Sequence, residues 1–343
     1  MRRSQFQFLT RAGFRHISIY FAILAACGLQ AQTAYTPTHR YSFTNAAGAA
    51  PSGAVIADSI GGADGVVRGS GATFTGSRVT IPGGSSASAA YVDLPNGLLS
   101  VNGTNNGGSG KITIEAWLKI TGLHTWSRIF DFGSSDVGGR VGGEVNGPGG
   151  GGEGLDYLMW SAQAGDDGTV QRIELRNEDP VGGGIATVDH GTANFFPTPK
   201  DFHVALTWDE STGRILIYEN GVQVSSMTVD DPMSQIHDVN VWLGRSNWTG
   251  DQNMQGEFDE FRIYRAVLPP AQVRASYEAG PEVLSVGPAA IQTSPQSVTV
   301  QDAQSAKFTV RALGDLPLAF QWYTNGVPVP DRKSTRLNSS HRT

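Results

Sequence analysis

Cysteine is nearly absent: Cys27 is the only one in 343 residues. The body of the chain therefore has no disulfide, no thiolate nucleophile and no zinc–cysteine centre. Its stability must come from a buried core, for which the length is ample. Charge is also sparse, at 16% of residues. Residues 32–330 hold 17 basic and 30 acidic side chains, so that stretch carries about −13. No basic stripe interrupts it, which argues against a nucleic-acid partner. Helical periodicity is scarce. No His-Glu-x-x-His, no Gly-x-Ser-x-Gly elbow and no Gly-Lys-Ser/Thr phosphate loop occurs. His39, His203 and His237 are scattered and read as structural residues.

Long apolar runs are missing too. Ile17–Ala26 is too short to cross a membrane. Arg2, Arg3, Arg11 and Arg15 before it make a positive n-region, the pattern of an export signal. Two processing sites compete: one after Ala31, and a lipobox-like Leu24-Ala25-Ala26-Cys27 that would lipidate Cys27. Any membrane association is expected only through that anchor. The expected location is extracellular or at the cell surface.

Glycine and short alternating runs are abundant. The chain has 44 glycines. Lys111–Lys119 alternates most clearly, placing Ile112, Ile114, Ala116 and Leu118 on one face. Strands are also expected near Ala72–Phe74, Arg78–Ile81, Ala90–Leu94, Ser127–Phe132, Leu155–Ala162, Gln171–Arg176, Phe202–Trp208, Arg214–Glu219, Val222–Ser225, Val239–Leu243 and Glu257–Tyr264. Asn220-Gly221 predicts a type I′ hairpin turn. Gly138–Gly154 is a long glycine-rich loop. Pro269–Ala279, stopped by Gly280, is the one good helix. The sum is an all-β, antiparallel two-layer sandwich over 38–280.

Beyond a linker at 281–290, Ser297–Val300, Ala306–Ala312 and Leu318–Tyr323 read as part of an immunoglobulin-like sandwich, with Trp322 as its core tryptophan. Residues 331–343 turn abruptly basic and lose all periodicity. They read as adaptor-derived and are left out of the fold.

Several separated motifs fall in one order: His39–Phe43, Asp58–Gly65, Tyr91–Leu98, Ile112–Trp117, Arg128–Gly133, Ile217–Val222, Trp242–Ser246 and Gly256–Tyr264. This order resembles the LamG-like jellyroll domains of exported bacterial proteins. The resemblance implies a concanavalin A-like jellyroll, a frequent calcium (Ca2+) site, and binding of glycans or proteins. Asp58 and Asp64 offer two carboxylates among glycines, and the resemblance would bring Asp259 near them as metal ligands. The alternative is that Asp58 and Asp64 are ordinary turn aspartates.

Laminarinase-type hydrolases of this sandwich carry three alternating acids on one strand. In Glu257-Phe-Asp259-Glu260-Phe261 the third acid would fall at Phe261 or Arg262, so no catalytic residue is assigned. Sugar binding needs exposed aromatic platforms. Trp126, Trp160 and Trp248 are the candidates, with Tyr157 beside them, whereas Trp117, Trp208 and Trp242 fit core positions. The expected function is a non-catalytic module recognising a glycan or a cell-surface protein. The alternatives are a structural spacer or a diverged glycoside hydrolase.

Overall fold

A computed structural model describes residues 35–165, 168–178, 184–190 and 200–284, with a few short strands outside that range. Most of the export signal, with Cys27 and Ala31, lies outside the described residues, as does most of the immunoglobulin-like stretch and of the basic end. The chain divides into two compact units, one of which is Thr36–Val283. No helix among the described residues is long and apolar enough to cross a membrane.

The alternation of Lys111–Gly122 sets the geometry of that unit. Ile112, Ile114, Ala116, Leu118 and Ile120 enter the main core. Thr113, Glu115 and Trp117 face the other way. This strand pairs with Phe202–Asp209 on one side and Gln252–Tyr264 on the other. The sheet then extends outward in antiparallel order. Arg214–Glu219 and Val222–Thr228 lie beyond the first neighbour; Val79–Ser85, Thr73–Phe74 and Gly48–Ala49 lie beyond the second. The strand His39–Tyr41 also joins Gln252–Tyr264.

A second antiparallel sheet runs Ile185–His190, Gln171–Asn177, Gly154–Ser161, Arg128–Asp136, Asn240–Leu243, Tyr91–Leu94, Gly65–Arg68, Val55–Ile56. Side chains from both sheets meet in one core that includes Trp208, Phe132, Trp160 and Phe261. This is a concanavalin A-like β-sandwich with one short α-helix among the described residues.

The Asn220-Gly221 turn forms as its residues dictate. Their φ angles are +48° and +74°, as a type I′ turn requires. Glu219 faces Val222 across it. Gln252–Tyr264 is longer than its sequence pattern suggests and carries a bulge at Asp259, where Phe258 and Glu260 oppose successive partners. The bulge breaks the alternation of Glu257-Phe-Asp259-Glu260.

The helix Pro270–Ala279 covers the outward face of the first sheet. Glu115 is fully buried there and accepts from Tyr264 Oη at 2.9 Å and Ser276 Oγ at 3.0 Å. His203 Nε2 lies 3.3 Å from its other oxygen. Trp117 is buried here, on the face opposite Ile112, Ile114, Ala116 and Leu118, under the Arg262 guanidinium at 4.4 Å. Trp242 is buried in a second, small core with Tyr91 and Val145. Glu115→Ala strands three buried partners and is expected to cost about 3 kcal/mol. Urea unfolding should read that loss, and hydrogen exchange should show early opening of 270–279.

Candidate functional site

On the outward face of the second sheet lies a cleft of about 250 Å3. Its lining includes Trp126, Tyr157, Arg172, Glu174, Arg176 and Trp248. The floor follows from strand parity. In Gln171–Asn177, Ile173 and Leu175 point into the core, so Arg172, Glu174 and Arg176 point out. In Gly154–Ser161, Leu158 and Trp160 are core residues, so Tyr157 and Met159 face the cleft.

Trp126 sits at one wall. Its φ is +60°, a left-handed conformation that a bulky residue rarely adopts. Its amide donates to Gln163 O at 2.8 Å. The indole lies directly on Gly165, where a Cβ would collide with Nε1. The guanidinium carbons of Arg128 and Arg172 each lie 5.3 Å from its ring centre.

Trp248 forms the other wall. Its Nε1 donates to Tyr157 Oη at 3.1 Å, and Tyr157 Oη donates to Glu174 Oε1 at 2.5 Å. Arg176 stands 5.2 Å from its ring centre. A Cβ at Gly154 would come within 2.8 Å of the indole and 2.7 Å of the Tyr157 ring, so only glycine lets both rings lie on that strand.

Beneath both walls is Asp131, wholly buried. It accepts from Asn247 N at 2.9 Å and Asn247 Nδ2 at 2.7 Å, next door to Trp248. It also accepts from Arg128 Nε at 3.2 Å, and Arg128 Nη1 donates to the carbonyl of Trp126 at 2.6 Å. Arg128 Nη2 lies 3.3 Å from Asp251, which also accepts from Ser246 Oγ at 2.8 Å. Burial pushes Asp131 up to about 6, against the pull of Arg128 and Asn247. Burial likewise raises Asp251, and drives the Tyr157 hydroxyl up with help from the Glu174 charge, so Tyr157 stays neutral.

Of the three tryptophans chosen from sequence, Trp126 and Trp248 are brought to one cleft, half-buried. Trp160 is not: it is fully buried in the core and bonds Gln171 Oε1 at 3.0 Å. It has no face to offer a ligand. Tyr157 belongs to the cleft but reaches it with its ring mostly covered. Sequence reasoning missed Arg172, Glu174 and Arg176, although the Arg-Ile-Glu-Leu-Arg alternation marked them as one polar face.

The proposed calcium ligands do not fit a cation. Asp58 accepts amide hydrogens from Arg40, Ile60, Gly61 and Ala63, and His39 Nδ1 stands 2.7 Å from its Oδ2. Its lone pairs are already taken by donors. Burial opposes ionisation there, but those donors together hold its carboxyl below the usual range. Asp64 Oδ1 accepts the Asp58 amide at 2.8 Å. Asp259 is ion-paired with Arg78 at 2.7 Å. Among the described residues no three His, Cys, Asp or Glu side chains converge as metal ligands. The Glu257–Glu260 acids are likewise committed: Glu257 to Arg78 and Lys119, Glu260 to Arg40 and Arg262.

A family model described as the concanavalin A-like lectin/glucanases superfamily, of laminin G type, matches residues 86–274. No curated protein matches the chain. Among solved structures, domain 4 of a GH43 extracellular arabinanase from Geobacillus stearothermophilus, in complex with arabinotriose, is 21% identical. Its TM-score is 0.48, over 71% of this chain and 98% of that one. The CBM40 of a Ruminococcus gnavus sialidase, bound to sialyllactose, is 19% identical with a TM-score of 0.36, over 48% and 81%. The binding domain of botulinum neurotoxin DC is 11% identical with a TM-score of 0.44, over 69% and 51%.

Three buried acids set a pH signature. Asp131, Asp238 and Asp259 all sit at about 6 through burial, against an ordinary value of 3.8. As pH rises, the unfolded chain loses these protons first. Their contribution to stability is full below about 4 and is lost between about 4 and 6. Asp58, held low, works oppositely and weakens the fold only as pH falls below about 4. The melting temperature should fall as pH rises from about 4 to 6, and Asp238→Asn should flatten that slope. Differential scanning calorimetry across the window checks it.

Proposed function

We propose a function from one premise: the chain belongs to the concanavalin A-like lectin/glucanase superfamily. Its sandwich is a non-catalytic sugar-binding module, and the Trp126–Trp248 cleft is where the sugar sits. The observation that carries this reading is the pair of half-buried indoles facing one polar floor. Apolar pyranose faces stack on aromatic rings while hydroxyls bond to groups at the rim. At about 250 Å3 the cleft falls short of the roughly 300–1,000 Å3 of a drug-sized pocket, which suits a short stretch of a sugar chain.

The walls are fixed before any ligand arrives, because Asp131, Arg128 and Asn247 hold them from below. A preformed site loses little entropy on binding. A hydrolytic role is less well supported. Glu174 is tied to a Tyr157 that stays neutral, and Asp251 is tied to Arg128 and Ser246. The apolar segment that follows four arginines at the amino terminus supports an exported setting, where glycans are met.

Calorimetric titration of the full chain against arabino-, xylo-, β-gluco- and galacto-oligosaccharides and sialyllactose tests the reading. At least one should bind. Trp126→Ala and Trp248→Ala should each weaken it by about tenfold or more, ~1.4 kcal/mol, with near-UV circular dichroism still reporting a folded core. A bound oligosaccharide indifferent to both substitutions contradicts the assignment.

A further inference from the structure

The walls of the cleft are aromatic, but its floor is a set of closed ion pairs. Asp189 holds Arg172 through two bonds, from Nε at 2.6 Å and Nη2 at 2.9 Å. Arg176 donates to Glu178 at 2.7 Å. Arg128 reaches Asp131 and Asp251 at 3.2 and 3.3 Å. Each of the three arginines already has a carboxylate partner. Glu174, between two of them on the same strand face, is bonded by Tyr157 and points into the same space.

The charge balance follows directly. Four guanidiniums, counting Arg140 on Glu178, stand among Asp131, Asp189, Asp251, Glu174 and Glu178. With Asp131 neutral, cations still do not outnumber anions there. The surrounding body is acidic as well. An incoming carboxylate or sulfate must therefore either strip an arginine of its partner or sit against Glu174 and Asp251. The first gives up an ion pair already formed, as that of Arg172 with Asp189, and the second sets like charges side by side. A sugar carrying only hydroxyls meets neither cost. Guanidinium and carboxylate edges present donors and acceptors side by side, which suits vicinal hydroxyls.

We propose that the Trp126–Trp248 cleft selects neutral sugars and rejects carboxylated or sulfated ones. This rests on the sugar-binding reading and adds the ligand's charge class. The selection comes from Glu174 and Asp251 repelling an anion and from Asp189 and Glu178 occupying the arginines that would otherwise attract it.

Matched pairs with the same backbone test it on the full chain: oligogalacturonate against its carboxyl-reduced form, glucuronic-acid-substituted xylohexaose against xylohexaose, sialyllactose against lactose. Titration should find the neutral member of a binding pair at least about tenfold tighter. Its affinity should change little between about 0.05 and 0.5 M NaCl, since no net charge is exchanged. Glu174→Gln keeps an acceptor for Tyr157 and removes the repulsion, so it should strengthen binding of the acidic member by about threefold or more. A tighter acidic member, with affinity collapsing at high salt and lost in Trp126→Ala, overturns the charge selection while leaving the cleft as a sugar site. Binding of no member of any pair removes the sugar-binding reading and this inference together.

Discussion

A single buried carboxylate organises the candidate site. Asp131 lies on a strand at the middle of its sheet, with no exposure, and takes three donors from two directions. One direction leads through Arg128 to the backbone of Trp126. The other leads through Asn247 to the turn that carries Trp248. Two loops far apart in sequence are thereby fixed to one point. A charge or dipole buried this deeply is stable only with its partners in place, so the walls and the hub form or fail together. The left-handed backbone of Trp126 fits this arrangement, since such a conformation persists where surroundings over-determine it.

The opposite face of the molecule solves a similar problem differently. Glu115, Glu260 and Arg262 project outward from the other sheet, yet all are buried, because the helix Pro270–Ala279 and the segment after it cover them. There the polar network serves to dock the helix. On the cleft side no helix among the described residues covers the sheet. Arg172, Glu174 and Arg176 stay half-exposed between two tryptophans. The two outer faces of the sandwich therefore differ in what they leave open to a ligand.

Much of the framework was legible in the residues. The Lys111–Lys119 alternation, the Asn220-Gly221 turn, the strand Arg214–Glu219 and the helix with its proline start all appear where local chemistry put them. The strands Gly48–Ala49, Val55–Ile56 and Gly142–Gly143 were not legible, because two residues carry no period. Ile185–His190 is an edge strand whose core face is only Ala186 and Val188, both partly buried, too little to mark a period. Trp160 was misread as exposed because Gly154–Ser161 is covered on both faces, which hides its parity. The amide donors on Asp58 were not legible either, because a carboxylate saturated by amide hydrogens looks the same in sequence as one awaiting a cation. The cleft needed tertiary contact to appear, since its walls are joined only through Asp131.

The most direct measurement is a crystal structure of the chain grown with whichever oligosaccharide of the titration panel binds most tightly. The account predicts a sugar ring against the indoles of Trp126 and Trp248, with hydroxyls on Arg172, Glu174 or Arg176 and Asp131 unmoved. A sugar seated elsewhere, for example in the glycine-rich loop between Gly138 and Gly154 with neither tryptophan in contact, would contradict it.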